Sequence, residues 1–253
     1  MKSKIFVMMC AASLLAASAC QKQETPGAER LGDVTLTVSL PEGSVLPVRS
    51  GSYDGADVSR CVMEVYYNGN MVLHREAEMI SGAPVVFDGF RLVASQSYDF
   101  VFWADCGEDS YDISQGLAAV RQNSGEANDA SDAFCGTMMD QSIGAGGFSA
   151  SLTLTRPFAL VTLTDSDGNV PSDFSVGYSA PVVFNVLNDT AVETGVRSIR
   201  GLSGGNEIGS FFIWVPDGEE NQVKFSVSRG QADEKEFSVP VRRNMKTNVT
   251  VNI

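Results

Sequence analysis

Basic residues are scarce in this chain of 253 residues: Lys+Arg number 18 against 31 Asp+Glu, a formal charge of -13. Recognition of DNA or RNA phosphates needs stripes of Lys and Arg, so nucleic acid is excluded as a partner. Histidine is scarcer still: His74 is the only one, and any Ser-His-Asp hydrolase would have to use it as its base. His74 lies in Met71-Val72-Leu73-His74-Arg75-Glu76 and reads as a strand side chain at a sheet surface. C-x-x-C spacing is absent, which removes the common zinc sites. H-E-x-x-H, G-x-x-x-x-G-K-S/T and G-x-G-x-x-G are absent too. What is not lacking is apolar content. With 43% hydrophobic and 19% charged residues, the chain is globular rather than disordered.

One long apolar run exists, and it stands at the start. Lys2 and Lys4 precede an almost unbroken apolar stretch over residues 5–19. That run is shorter than the roughly 20 residues a spanning helix needs, and it has the form of a secretory signal. Two endings fit it. Ala17-Ser18-Ala19 is an A-x-A cleavage site, which would leave Cys20 as an ordinary first residue. Leu15-Ala16-Ala17-Ser18-Ala19-Cys20 is also a lipobox, with Ala17 where bacterial lipoproteins usually carry Leu, and Cys20 would then be lipidated. The lipobox is favoured, because a Cys at that one position seldom arises by chance. Gln21 after the Cys matches outer-membrane sorting, and Gln21-Lys22-Gln23-Glu24 is a weak form of a surface-export tag. Residues 20–30 read as a tether. With Cys10 leaving with the signal and Cys20 carrying lipid, Cys61, Cys106 and Cys135 remain, an odd number that allows at most one bridge. They read as small buried hydrophobes, with a Cys106–Cys135 bridge as the alternative.

Strand periodicity dominates the remainder. Val34, Leu36, Val38 and Leu40 alternate with Thr35, Thr37 and Ser39, the pattern of a half-buried strand. Asn68-Gly69-Asn70 between two apolar runs is a tight hairpin turn, since Asn and Gly tolerate positive φ. Residues 98–104 (YDFVFWA) are apolar on both faces, as in a strand enclosed on each side. Residues 107–148 lose the alternation. They read as a mobile surface excursion with one short helix over residues 113–121. After the turn cluster at residues 165–173 come further strands over 175–178, 182–187, 209–215, 222–228, 235–241 and 247–253. The expectation is an all-β chain of two β-sandwich domains, residues 31–164 and 165–253. No close internal repeat is visible.

Organised chemistry is sparse. Asp165-Ser166-Asp167-Gly168-Asn169 has the alternating oxygens of a calcium loop, but Val176 stands where the bidentate Glu should be. An inter-domain turn is the simpler reading, and no metal or cofactor is expected. Paired carboxylates for glycoside hydrolysis are not resolved by a chain with so many acids. Trp103 and Trp214 both lie in apolar runs and read as core rather than as sugar platforms. Asp189-Thr190-Ala191 fits the Asp-Ser/Thr-small pattern of O-glycosylation in some anaerobic Gram-negative bacteria, making Thr190 a candidate acceptor.

Several segments in order carry a resemblance. They are the lipobox and first strand, Arg60-Cys61-Val62-Met63-Glu64-Val65-Tyr66, Phe90-Arg91-Leu92-Val93 and Tyr98-Asp99-Phe100-Val101-Phe102-Trp103-Ala104-Asp105. Then come Asn128-Asp129, Asp132-Ala133-Phe134, Leu154-Thr155-Arg156-Pro157-Phe158-Ala159 and Val239-Pro240-Val241-Arg242-Arg243-Asn244-Met245-Lys246-Thr247-Asn248. Together they resemble the fimbrillin family, the lipoprotein-derived subunits and relatives of type V pili in gut and oral anaerobes. The resemblance implies two tandem transthyretin-like β-sandwich domains and a structural or adhesive role, not an enzyme. It implies other fimbrillin-type subunits as partners, an outer-membrane lipid anchor exposed at the cell surface, and a host or bacterial surface receptor. It also implies that an arginine-specific protease removes the first strand and that a strand from another subunit fills the groove. Arg49-Ser50, in the loop after that strand, is the candidate processing bond. Arg30 precedes the strand, and a cut there would release only tether. The sequence stops at Ile253 directly after its last strand, so a good acceptor and a poor donor are expected, which suits a tip, a cap or an unpolymerised member. The competing class is a surface lipoprotein that binds glycans through loops at one sandwich end. Glycan binding on a column, or loss of pili from a deletion strain, separates the two.

Overall fold

The computed structural model describes residues 29–41, 55, 57–80, 83–107, 110–123, 132–168, 170, 174–200, 206–216, 218, 220–229 and 234–252, the side chains of 199, 200 and 229 aside. The strands are β1 Leu31–Ser39, β2 Arg60–Tyr67, β3 Asn70–Glu78, β4 Val85–Val93 and β5 Ser97–Asp105. A short pair follows, β6 Tyr111–Asp112 and β7 Val120–Gln122, around a 3-10 turn at Leu117–Ala119. Next come β8 Phe134–Ser142, β9 Phe148–Thr153, β10 Phe158–Asp165, β11 Phe174–Asn185 and β12 Thr190–Arg200. The last are β13 Glu207–Trp214, β14 Glu220–Arg229, β15 Lys235–Arg242 and β16 Lys246–Val251. The chain is all-β, and its sheets pack as sandwiches.

The sheet orders reveal a duplication. One sandwich has a sheet β3-β2-β5-β8 over a sheet β4-β1-β9. The other has β12-β11-β14-β15 over β13-β10-β16. With the β6–β7 pair set aside, each unit is seven strands in the order third-second-fifth-sixth and fourth-first-seventh. In both units the first strand pairs antiparallel with the fourth and parallel with the seventh. The repeat lies in the topology and not in the residues, which is why none is visible in the sequence.

The repeat also places the changeover between units. β10, which the sequence reading put in the first domain, pairs with β13 and β16 of the second. The break is therefore at Arg156-Pro157, and the turn cluster from Asp165 connects two strands of one unit. Three further expectations change. Residues 113–121 carry a 3-10 turn and β7 rather than a helix. The supposed excursion contributes β8, the fourth strand of a sheet, and buries Tyr111, Leu117, Val120, Phe134 and Ile143. The strands expected over 175–178 and 182–187 are one strand, β11 Phe174–Asn185, with register shifts between Pro181 and Phe184, and β12 is a further strand that the sequence pattern does not show.

Three apolar cores hold the chain. The first sandwich encloses Val34, Leu36, Val38, Met63, Val65, Phe100 and Phe102. The second encloses Val161, Leu163, Val176, Phe211, Ile213 and Phe225. The third lies between the sandwiches and contains Val62, Val101, Trp103, Tyr111, Phe158, Leu160, Phe184, Phe212 and Trp214. Strands β2, β5, β10 and β13 thus bury both faces, which explains the doubly apolar pattern of residues 98–104. The tight turn expected at Asn68-Gly69 is present, with φ of 49 and 77 degrees.

Candidate functional site

The element with the most distinctive setting is β1. It is the central strand of its sheet, hydrogen-bonded antiparallel to β4 and parallel to β9. Val34, Leu36 and Val38 point inward and are at most 1% exposed. The alternate residues, Thr35, Thr37 and Ser39, are only half-buried on the outer face. Leu40 continues the inward series and packs against the same core. The start of the strand is pinned by backbone contact. A Cβ on Gly32 would lie 2.5 Å from the Gly144 carbonyl oxygen, and one on Gly147, at φ +97 degrees, would lie 2.5 Å from that of Asp33. Leu154 donates its N–H to the Ser39 carbonyl at 2.8 Å and closes the other end.

The equivalent strand of the second unit, β10, is set differently. It buries Ala159, Val161 and Leu163 in its own core and Phe158 and Leu160 in the inter-sandwich core. Removing β1 uncovers one core, whereas removing β10 would uncover two. The inter-sandwich core therefore draws on β10 and not on β1.

The junction between units is polar where β10 begins. Arg156 is 1% exposed and donates through Nε and Nη2 to Asp132, at 2.6 and 2.5 Å. Its Nη1 donates to Asn244 Oδ1 at 2.7 Å, and its guanidinium lies 4.8 Å from the Phe134 ring centroid. Beside it, Arg243 holds Asp189 through Nη1 at 2.9 and 2.7 Å and donates from Nε to the Arg156 carbonyl. Burial pushes the Asp132 carboxyl up, opposed by the Arg156 guanidinium.

The other sequence candidates find plain settings. Cys20 and the Arg49-Ser50 bond lie outside the described residues. Thr190 is exposed at the start of β12, and the neighbouring Asp189, at φ 51 degrees, is the carboxylate held by Arg243. His74 sits on β3 opposite Glu64, with Nδ1 3.2 Å from Glu64 Oε1. Glu64 is buried and also accepts from Tyr66 Oη at 2.6 Å and the Leu117 N–H at 2.9 Å. This cluster ties the 3-10 turn to β2, and sequence reasoning missed it because the Glu sits in an apolar run. Burial pushes the Tyr66 hydroxyl up. Trp103 and Trp214 are fully buried, with ring centroids 5.7 Å apart, as core residues should be. Cys61, Cys106 and Cys135 form no disulfide, so the Cys106–Cys135 bridge is absent, and burial pushes the Cys61 thiol up to about 12. Among the described residues no His, Cys, Asp and Glu cluster is arranged to hold a metal ion, and no helix is long and apolar enough to cross a membrane.

Residues 26–253 match the model of a family of unknown function, DUF6562. The chain belongs to that family. Solved structures share the fold of this DUF6562 chain. A candidate adhesin from Bacteroides thetaiotaomicron aligns with TM-score 0.54 at 14% identity, over 89% of this chain and 93% of that one. A candidate polysaccharide-binding protein from the same organism gives 0.53 at 11%, over 82% and 80%. A candidate adhesin from Bacteroides ovatus gives 0.52 at 12%, over 83% and 76%. No curated protein matches the chain. The sandwich fold that the fimbrillin resemblance implied is the one observed.

Proposed function

We propose that this chain is a surface-anchored fimbrillin-like structural or adhesion protein, not an enzyme, that joins other subunits by exchange of β1. One observation carries the reading: β1 is a central strand with three fully buried side chains, bonded on both edges. A cut in the loop beyond Pro41 would free β1 and open an apolar floor between two unpaired strand edges. A donor strand satisfies both at once. The candidate cut is Arg49-Ser50. Two structural neighbours described as candidate adhesins lend support through their fold. β16, in contrast, is paired with β10 inside its own sandwich. To donate it, the chain would have to open its second unit, which favours an acceptor over a donor.

Two experiments test the reading. Purified protein treated with an arginine-specific protease should lose a fragment ending at Arg49 and then capture a strand from a partner subunit, seen as a larger species in native gels. An Arg49-Ser50 bond that resists the protease would refute the acceptor, and long ladders from this protein alone would refute the poor donor. Anchoring is tested by growth with labelled palmitate. Label should appear in the wild type and vanish in Cys20→Ala, which lacks the thiol that is lipidated; each attached acyl chain would anchor with about 0.8 kcal/mol per buried CH₂. Equal label in both would sink the lipid anchor.

A further inference from the structure

β12 is an eleven-residue strand whose only ladder among the described residues is with β11. Among the described residues no strand lies beside its other edge. Three other edge strands are blunted. On β3, Arg75 reaches over to the Asp88 and Gly89 carbonyl oxygens of β4, strapping the two sheets together. β15 carries Pro240, which has no N–H to offer, and β8 is bent at Asp140, with φ of 53 degrees. β12 has no proline, and its outward face shows Val192 at 59% and Val196 at 83% exposure, flanking exposed Thr194.

We propose that β12 is a self-association edge, and that a second copy of this chain pairs with it antiparallel about a two-fold axis at Gly195. The register follows from the strand itself. Gly195 is the middle residue, so pairing there places Thr190 opposite Arg200 and engages the whole strand. In that register Glu193 of each copy, which within its own chain pairs with Arg121 at 2.7 Å, stands opposite Arg197 of the other, so that opposite charges face each other twice across the axis. On the outward face Val196 stands opposite Thr194, with the two copies' Val196 side chains diagonal to each other. Cross-strand pairs of both kinds favour association. Gly195 leaves the axis free of side chains. Arg197 is held in place by its own Nη2, which donates to the Gln122 carbonyl at 3.1 Å. The joined sheets would run continuously through both molecules, and this pairing needs no cleavage and no exchange of β1. Copies held on one membrane would meet at high effective concentration.

Sedimentation equilibrium of uncut recombinant protein tests the seam. The wild type should show a reversible dimer, and Val196→Lys and Glu193→Lys should each weaken it about tenfold or more, through like charges facing across the axis. Val72→Lys on β3 should leave the dimer unchanged. Register is read separately: Thr194→Cys mixed with Val196→Cys, both in a Cys106→Ser background, should form a disulfide-linked heterodimer that neither gives alone. A wild type that stays monomeric at its highest soluble concentration overturns the proposal. So does a dimer indifferent to Val196→Lys, or equal crosslinking by either cysteine variant alone.

Discussion

A chain beginning at residue 41, and so lacking β1, will not persist as a folded monomer, but a peptide of residues 31–40 added in trans will restore it. The expected effect is large. Val34, Leu36 and Val38 are buried to within 1%, and at ~1.5–3 kcal/mol for each fully buried aliphatic side chain their loss costs about 5–9 kcal/mol. That equals much of the ~5–15 kcal/mol that holds an ordinary domain folded. The facing ladders of β4 and β9 lose their partner as well. Because the second sandwich and the inter-sandwich core do not include β1, the damage should be confined to the first sandwich. Calorimetry should show the first unit melting far below the intact protein, with dye binding to the exposed floor. Peptide should raise that transition, and a Leu36→Asp peptide should not. A truncated chain that melts like the intact one would show that the floor closes by itself, and would remove the physical basis for strand exchange.

Local physics was legible in the residues, and long-range pairing was not. β1 and β5 were readable because alternation and double-sided apolarity are properties of the strand alone, and Asn68-Gly69 announces its turn through backbone chemistry. β12 was invisible because its pattern is inverted: Val192 and Val196 face outward, while Glu193, Gly195 and Arg197 occupy the side facing β11's buried residues. β8 was hidden by Gly136 and a run of mixed residues, and its burial comes from β5 and from Leu152 and Leu154. Both Arg156-Pro157 and the cluster from Asp165 interrupt strands, so nothing local distinguishes a linker from a loop. Only the pairing of β10 with β13 and β16 does so. The candidate strand for exchange was therefore readable from sequence, and the reason its counterpart β10 is fixed was not.

Asp132, Arg156 and Asn244 sit far apart in the chain and meet at one point, which makes the second large effect an electrostatic one. Arg156→Met should destabilise the protein by roughly 3–5 kcal/mol, because the Asp132 carboxylate stays buried without its partner. For a chain of this size that corresponds to a melting temperature lower by about 6–20 °C. The pair itself need not be stabilising relative to an apolar one. Two charges taken from water recover little net energy, so Asp132→Leu with Arg156→Met should be less destabilised than Arg156→Met alone. The pH dependence separates this account from simple loss of packing. Burial already pushes the Asp132 carboxyl up, and without the guanidinium only the backbone hydrogen bonds from Ala133 and Gly55 oppose that push. A carboxyl whose folded pKa lies above its unfolded value binds more protons when folded, so stability falls as pH rises through that window. Arg156→Met should therefore recover part of its loss on acidification from neutral pH, while the double variant should not. A deficit that is constant with pH, or equal in the two variants, would show that Arg156 acts through its contact with Phe134 and not by neutralising Asp132.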